Sequence, residues 1–146
     1  MKTVPNMEPD EPGALQPKGK SRLVQVVLYV YWLTIFILSH IPKVNVPRGW
    51  KVSGSMHHFG AYVVLTLLIF LNAGLIRRMS LRAKKTWLLI GVVIAYGVLD
   101  EFLQYFVPGR DANLMDLVVD VVACLLCVGL LFITQRLYWR IRPQGK

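Results

Sequence analysis

WLLIGVVIAYGVLDEFLQYFVPGRDANLMDLVVDVVACLLCVGLLFIT, residues 87–134, reads as two apolar helices joined by a turn. The first run, Trp87 to Val107, carries Asp100, Glu101 and Gln104 in its second half. Pro108-Gly109 is a turn signal, and Leu114 to Thr134 resumes the apolar pattern with Asp116 and Asp120 near its start. Each run approaches the roughly 20 residues that a helix needs to cross hydrocarbon. Upstream, Leu23 to Ile41 is interrupted before His40 only by Gln25, Thr34 and Ser39, and Phe59 to Ile76 only by Thr66 and Asn72. A helix in a soluble bundle needs a polar face, and Leu28 to Leu38 and Tyr62 to Leu71 have none. With 146 residues, 55 % of them apolar, the chain has room for one domain. The expected fold is all-α, an integral membrane bundle of four transmembrane helices over residues 23–135. A tail of residues 1–22 precedes it and a basic tail of residues 136–146 follows.

The net charge of +9 could suggest nucleic acid as a partner, but its placement points to the bilayer instead. Lys2, Lys18, Lys20 and Arg22 precede the first run. Arg77, Arg78, Arg82, Lys84 and Lys85 separate the second from the third, and Arg136, Arg140, Arg142 and Lys146 follow the fourth. With four spans these segments share one side and hold 13 of the 17 Lys and Arg. Lys43, Arg48, Lys51 and Arg110 lie opposite. The positive-inside rule then makes both termini cytoplasmic in a multi-pass cell-membrane protein, with Trp87, Tyr138 and Trp139 at the inner aromatic belt. The first 22 residues hold four of the eight prolines and little apolar content, the composition of a disordered tail. The first run is long and leads into Ser39-His40-Ile41-Pro42 rather than a small-residue cleavage site, so it reads as an uncleaved anchor. Cys124 and Cys127 lie inside the fourth run as small packing residues. No metal-ligand spacing, phosphate loop or nucleophile elbow is present, and neither a metal nor a cofactor is expected.

Beyond the amino-terminal tail, every acid lies between positions 100 and 120, and His40, His57 and His58 occupy the matching ends of the first two runs. The topology therefore gathers most ionisable side chains on one face. Glu101 and Asp120 are expected about 9 Å into their helices, at matching levels of an antiparallel hairpin. An acid in hydrocarbon costs about 2.5–3.5 kcal/mol on insertion scales, which marks both as functional or structural necessities. Gly97, Glu101 and Gln104 share one helix face, as do Asp116, Asp120 and Ala123, so these faces should pack with Arg110 folded over them. Asp100 is about 100° around the helix from Glu101 and is expected on a different face, one of the two reaching towards the interface. Asn113 and Asp116 have the spacing of an N-cap and its N3 partner, a second role open to Asp116. His40 and His57 read as interfacial.

His58-Phe59-Gly60-Ala61-Tyr62 resembles the H-F-x-x-Y motif of the VanZ-like membrane proteins. Residues 96–120, YGVLDEFLQYFVPGRDANLMDLVVD, resemble their second motif, with Glu101, Gln104, Pro108, Gly109, Arg110 and Asp116 matching in residue and spacing. The similarity covers about residues 24–134. Gly54 and Ser55 stand where the family has an acid and a base, Asp120 where it has asparagine, and Ala123 where it has glycine. The resemblance implies no reaction; the family's namesake is associated with low-level resistance to the glycopeptide teicoplanin.

Two functions fit these residues. In the first, an outward-facing polar pocket of Gln104, Arg110, Asp116 and Asp120 binds an envelope lipid, a lipid-linked cell-wall precursor or a glycopeptide-type ligand. Arg110 would hold the anionic head group there. In the second, the protein is an enzyme acting on such a lipid, with His58 and Glu101 as its acid–base pair. The oligomeric state is not legible in the sequence.

Overall fold

The computed structural model describes residues 22–42, 54–76, 80–110 and 113–141. Over these residues the chain forms α1 (Arg22–Ser39), α2 (Gly54–Asn72), α3 (Lys84–Gln104) and α4 (Leu114–Ile141). All four are long and apolar enough to cross a membrane, and no strand occurs among the described residues. The all-α bundle of four membrane-spanning helices expected from the sequence is the fold observed.

Most boundaries depart from the apolar runs by a few residues, and α2 ends at Asn72, four residues short of Ile76. α2 begins at Gly54, five residues before Phe59, so His57 and His58 belong to its first turns. α3 stops at Gln104, three residues short of Val107. Proline disfavours helical backbone in the residue before it, which unwinds the chain ahead of Pro108. α4 continues seven residues past Thr134 to Ile141. Good helix formers and Arg140 in the last turn extend it there, where a cation meets the negative end of the helix dipole. The start of the basic segment after residue 135 is therefore helical; residues 142–146 and the tail of residues 1–21 lie outside the described residues.

Three threonines within the spans are satisfied locally. Thr34, Thr66 and Thr134 each donate a hydroxyl hydrogen bond to the carbonyl one turn back, which removes an unpaired group from hydrocarbon. α2 ends in a Schellman motif. Gly74, at φ 69°, allows Leu75 N–H to reach Phe70 O at 3.1 Å and Gly74 N–H to reach Leu71 O at 3.0 Å. Gly109, at φ 76°, occupies the third position of the Val107–Arg110 turn, closed by Arg110 N–H to Val107 O at 3.0 Å. The turn aims Arg110 back towards the bundle.

The core lies between α2, α3 and α4, around Tyr62, Leu65, Phe70, Val93, Ala123 and Cys124. α2 and α4 form the most extensive helix pair, followed by α3 with α4. α1 is peripheral and buries only Leu28. The helix exteriors carry exposed Leu33, Leu88, Phe102 and Leu130, as lipid-facing surfaces do. In lipid no hydrophobic force draws helices together, so close approach depends on small residues. Ala123 is fully buried, and a Cβ added at Gly97 would meet Leu117 Cδ1 at 3.3 Å. Ala123→Leu is expected to cost about 1–3 kcal/mol through overpacking. Val118→Leu, at a position 48 % exposed, should melt in detergent like the parent protein. Equal melting temperatures for the two variants would show that the α4 face has been assigned wrongly.

Candidate functional site

The C-terminal ends of α1 and α3 and the N-terminal ends of α2 and α4 meet at one end of the bundle. The polar residues singled out in the sequence gather there, but in two groups rather than one.

The first group joins α2, α3 and α4. His58 Nδ1 lies 3.2 and 3.3 Å from the carboxylate oxygens of Asp120 and 3.9 Å from Glu101 Oε1. Asp120 is 2 % exposed and Glu101 7 %. Gly97 makes room beneath them, since a Cβ there would stand 3.5 Å from Asp120 Oδ2 and 3.4 Å from the Tyr62 ring. Asn113 caps α4 with its side chain, Oδ1 accepting from Met115 N–H at 3.0 Å. The reciprocal half of a capping box is absent. The Asn113 N–H donates instead to Glu101 Oε2 at 3.0 Å, so α3 supplies the acceptor that Asp116 was a candidate to provide. Asp116 turns to α2, where the Ser55 hydroxyl donates to its Oδ1 at 2.6 Å. Two positions that depart from the VanZ-like pattern, Ser55 and Asp120, thus each supply a contact between α2 and α4.

The second group joins α1 to α3. Asp100 is buried and accepts from the Ser39 hydroxyl at 2.7 Å and from Gln104 Nε2 at 2.8 Å. Gln104 Oε1 accepts from Arg110 Nη1 at 3.3 Å. Arg110 also donates from Nε to Ile41 O at 3.2 Å and from Nη2 to Leu38 O at 3.0 Å. Carbonyls at a helix C-terminus lack partners within the helix, and the guanidinium supplies them. Burial pulls the Arg110 pKa down and the nearby acids push it up, and the side chain stays charged. His40, half-buried, lies 2.7 Å from Phe36 O through Nδ1 and 3.9 Å from Asp100. His57 is exposed.

Several placements differ from those expected. Glu101 is three residues from the end of α3, not six, because the helix stops early. Neither Asp100 nor Glu101 reaches for the interface; both are buried, on opposite flanks of the helix end. Gln104 and Arg110 side with Asp100 and α1, whereas Asp116 and Asp120 side with His58 and α2. Ser39 and Ser55 were not expected at the site. Serine is an ordinary residue at a helix end, and only the fold puts these hydroxyls against acids.

A cleft of about 100 Å³ separates the groups, between α1, α2 and α3. Ile35, Leu38, Ala61 and Tyr96 give it apolar walls, and Ser39, His58 and Asp100 a polar end. Tyr62 also lines it, and its buried hydroxyl has no hydrogen-bond partner among the described residues. Buried hydroxyls normally have one. The Tyr62 ring stacks between His58, at 6.3 Å, and Tyr96, at 5.9 Å, and so links the first group to the cleft wall.

A family model described as VanZ/LLP1 matches residues 18–135. The chain belongs to the VanZ/LLP1 family. No curated protein and no solved structure matches it. In this VanZ/LLP1 chain the two resembling motifs converge in space. His58 of the first meets Glu101 of the second across the α2–α3 boundary, and the Pro108-Gly109-Arg110 segment ties the second motif to α1.

Proposed function

We propose that this VanZ/LLP1 membrane protein binds an amphiphilic envelope molecule, a lipid or a lipid-linked cell-wall precursor, at the cleft between α1, α2 and α3. The observation that supports this reading is the graded lining, apolar along Ile35, Leu38 and Ala61 and polar at Ser39, His58 and Asp100. An acyl or prenyl chain suits the first part, and a hydroxylated or amide-bearing head group the second. The unpartnered Tyr62 hydroxyl adds a hydrogen-bonding group to the wall. Arg110 has a positioning role in this reading, since its donors are engaged by Gln104, Leu38 and Ile41. In this reading the cleft faces away from the cytoplasm and both termini are inside, which the distribution of the basic segments supports. A lipophilic glycopeptide such as teicoplanin has the same amphiphilic character, and occupancy of the cleft would connect this chain to glycopeptide susceptibility.

A membrane enzyme is the second reading. It is favoured by one observation, an imidazole between two buried carboxylates, the equipment for acid–base chemistry on a bound lipid. His58 and Glu101 would carry it.

Ala61→Trp fills the cleft from α2 and removes no side chain of either polar group. Lipids retained by the detergent-purified protein, identified by native mass spectrometry, are expected to fall at least fivefold in this variant. An unchanged lipid profile in a folded variant would reject the cleft as the binding site. Turnover of a lipid-linked precursor by the parent protein, lost in Glu101→Gln, would favour the enzyme.

A further inference from the structure

We propose that His58, Glu101 and Asp120 form a binding site for a divalent first-row metal ion, with Zn²⁺ the favoured occupant. No spacing in the sequence announces it, because the three residues come from three helices. One ligand atom from each lies within 4.8 Å of the others.

Geometry is the first argument. Around an ion bound at about 2.0–2.2 Å, neighbouring ligand atoms in a tetrahedron stand about 3.3–3.5 Å apart. His58 Nδ1 stands 3.2 Å from Asp120 Oδ1 and 3.9 Å from Glu101 Oε1, so small side-chain rotations close the set around one point.

The second argument is independent of spacing. Glu101 is 7 % exposed, and its buried Oε1 has no hydrogen-bond partner among the described residues. The other oxygen, Oε2, is held by the Asn113 N–H, which fixes the carboxylate and leaves Oε1 turned towards the imidazole. An orphaned carboxylate oxygen inside a protein is costly, and a cation is what satisfies it. Arg110 does not meet this need, since its hydrogen bonds run to Gln104 and to the end of α1. Two carboxylates around a dication make a neutral cluster, the charge state a membrane interior tolerates.

Ligand chemistry narrows the ion. One imidazole with two carboxylates suits zinc or manganese better than calcium or magnesium, and the Irving–Williams order ranks zinc above manganese. Backbone support of a ligand, as from Asn113 to Glu101, is the outer shell that metal sites use. Three protein ligands leave one position open for water or another oxygen ligand. The site does not rest on the lipid-binding reading; the cleft and the cluster share only His58.

The test uses the full-length protein in detergent, purified without a histidine tag, stripped with chelator and titrated with ZnCl₂. One zinc per chain is expected by calorimetry and elemental analysis. Glu101→Gln and Asp120→Asn should each weaken binding at least tenfold, and His57→Ala, at an exposed neighbour, should bind as the parent does. Should the ligand variants fail to fold, zinc X-ray absorption of the parent decides, with nitrogen and oxygen neighbours at about 2.0–2.1 Å expected. The proposal is overturned by an absence of stoichiometric binding at micromolar zinc. It also falls if either ligand variant binds as tightly as the parent, or if the zinc has sulfur neighbours.

Discussion

Arg110→Ala is expected to loosen α1 from the bundle and to lower stability by about 2–4 kcal/mol. Hydrogen bonds involving a charged partner contribute about 1.5–3 kcal/mol each, less where water competes. Arg110 is half-buried and makes three. Without it the Leu38 and Ile41 carbonyls lose these donors and Gln104 loses its clamp. Besides Arg110, α1 is held by Tyr31 donating to Ala61 O at 3.1 Å, by Ser39 donating to Asp100, by the Trp32 ring edge-on to Tyr96 at 5.2 Å and by the packing of Leu28 and Ile35. Lysine offers a point charge in place of a planar fork, so Arg110→Lys should recover only part of the loss. Thermal unfolding in detergent reads both variants, and proteolysis between α1 and α2 reads the loosening directly. A melting temperature unchanged in Arg110→Ala would mean that other contacts anchor α1.

The second large effect is all-or-none. Thirteen of the seventeen Lys and Arg lie in segments that four spans put on one side, and the positive-inside rule predicts that side to be cytoplasmic. A cysteine introduced at Ser80 should therefore be protected from a membrane-impermeant thiol reagent in intact cells. One at Ala112, outside the described residues and between Arg110 and Asn113, should be labelled. Cys124 and Cys127 are buried and give little background. The reverse pattern would place the polar end of the bundle, and with it the cleft, at the cytoplasmic face.

How much of this could be read from the sequence differs by level. The four spans were legible because each is a continuous apolar run of membrane-crossing length, a signal that survives any detail of packing. The ends were not. Pro108 ends α3 early through a local backbone effect, and α4 outlasts its apolar run because Gln135 to Ile141 are compatible with helix although not with hydrocarbon. In the site, helical phase correctly put Gly97, Glu101 and Gln104 on a buried face. It could not divide that face between α1 and α2. Gln104 lies one turn beyond Asp100, and this (i, i+4) bond draws it and Arg110 towards α1. Glu101 is captured by a backbone N–H of the next helix, a partner with no side-chain signature in the sequence.

The unequal helix lengths have a consequence for the surrounding lipid. At about 1.5 Å per residue, α1 with 18 residues spans about 27 Å and α4 with 28 about 42 Å, against a hydrocarbon thickness of about 30 Å. α1 is slightly short of the bilayer and α4 exceeds it by about two turns, so a lipid annulus of uniform depth cannot match both. Acyl chains beside α1 must thin or splay, while α4 tilts or carries Arg136 and Arg140 past the hydrocarbon into the phosphate layer, where anionic lipids attract them. The strain in the lipid falls on the flank that α1 closes, the same flank on which an amphiphile would have to enter sideways from the bilayer.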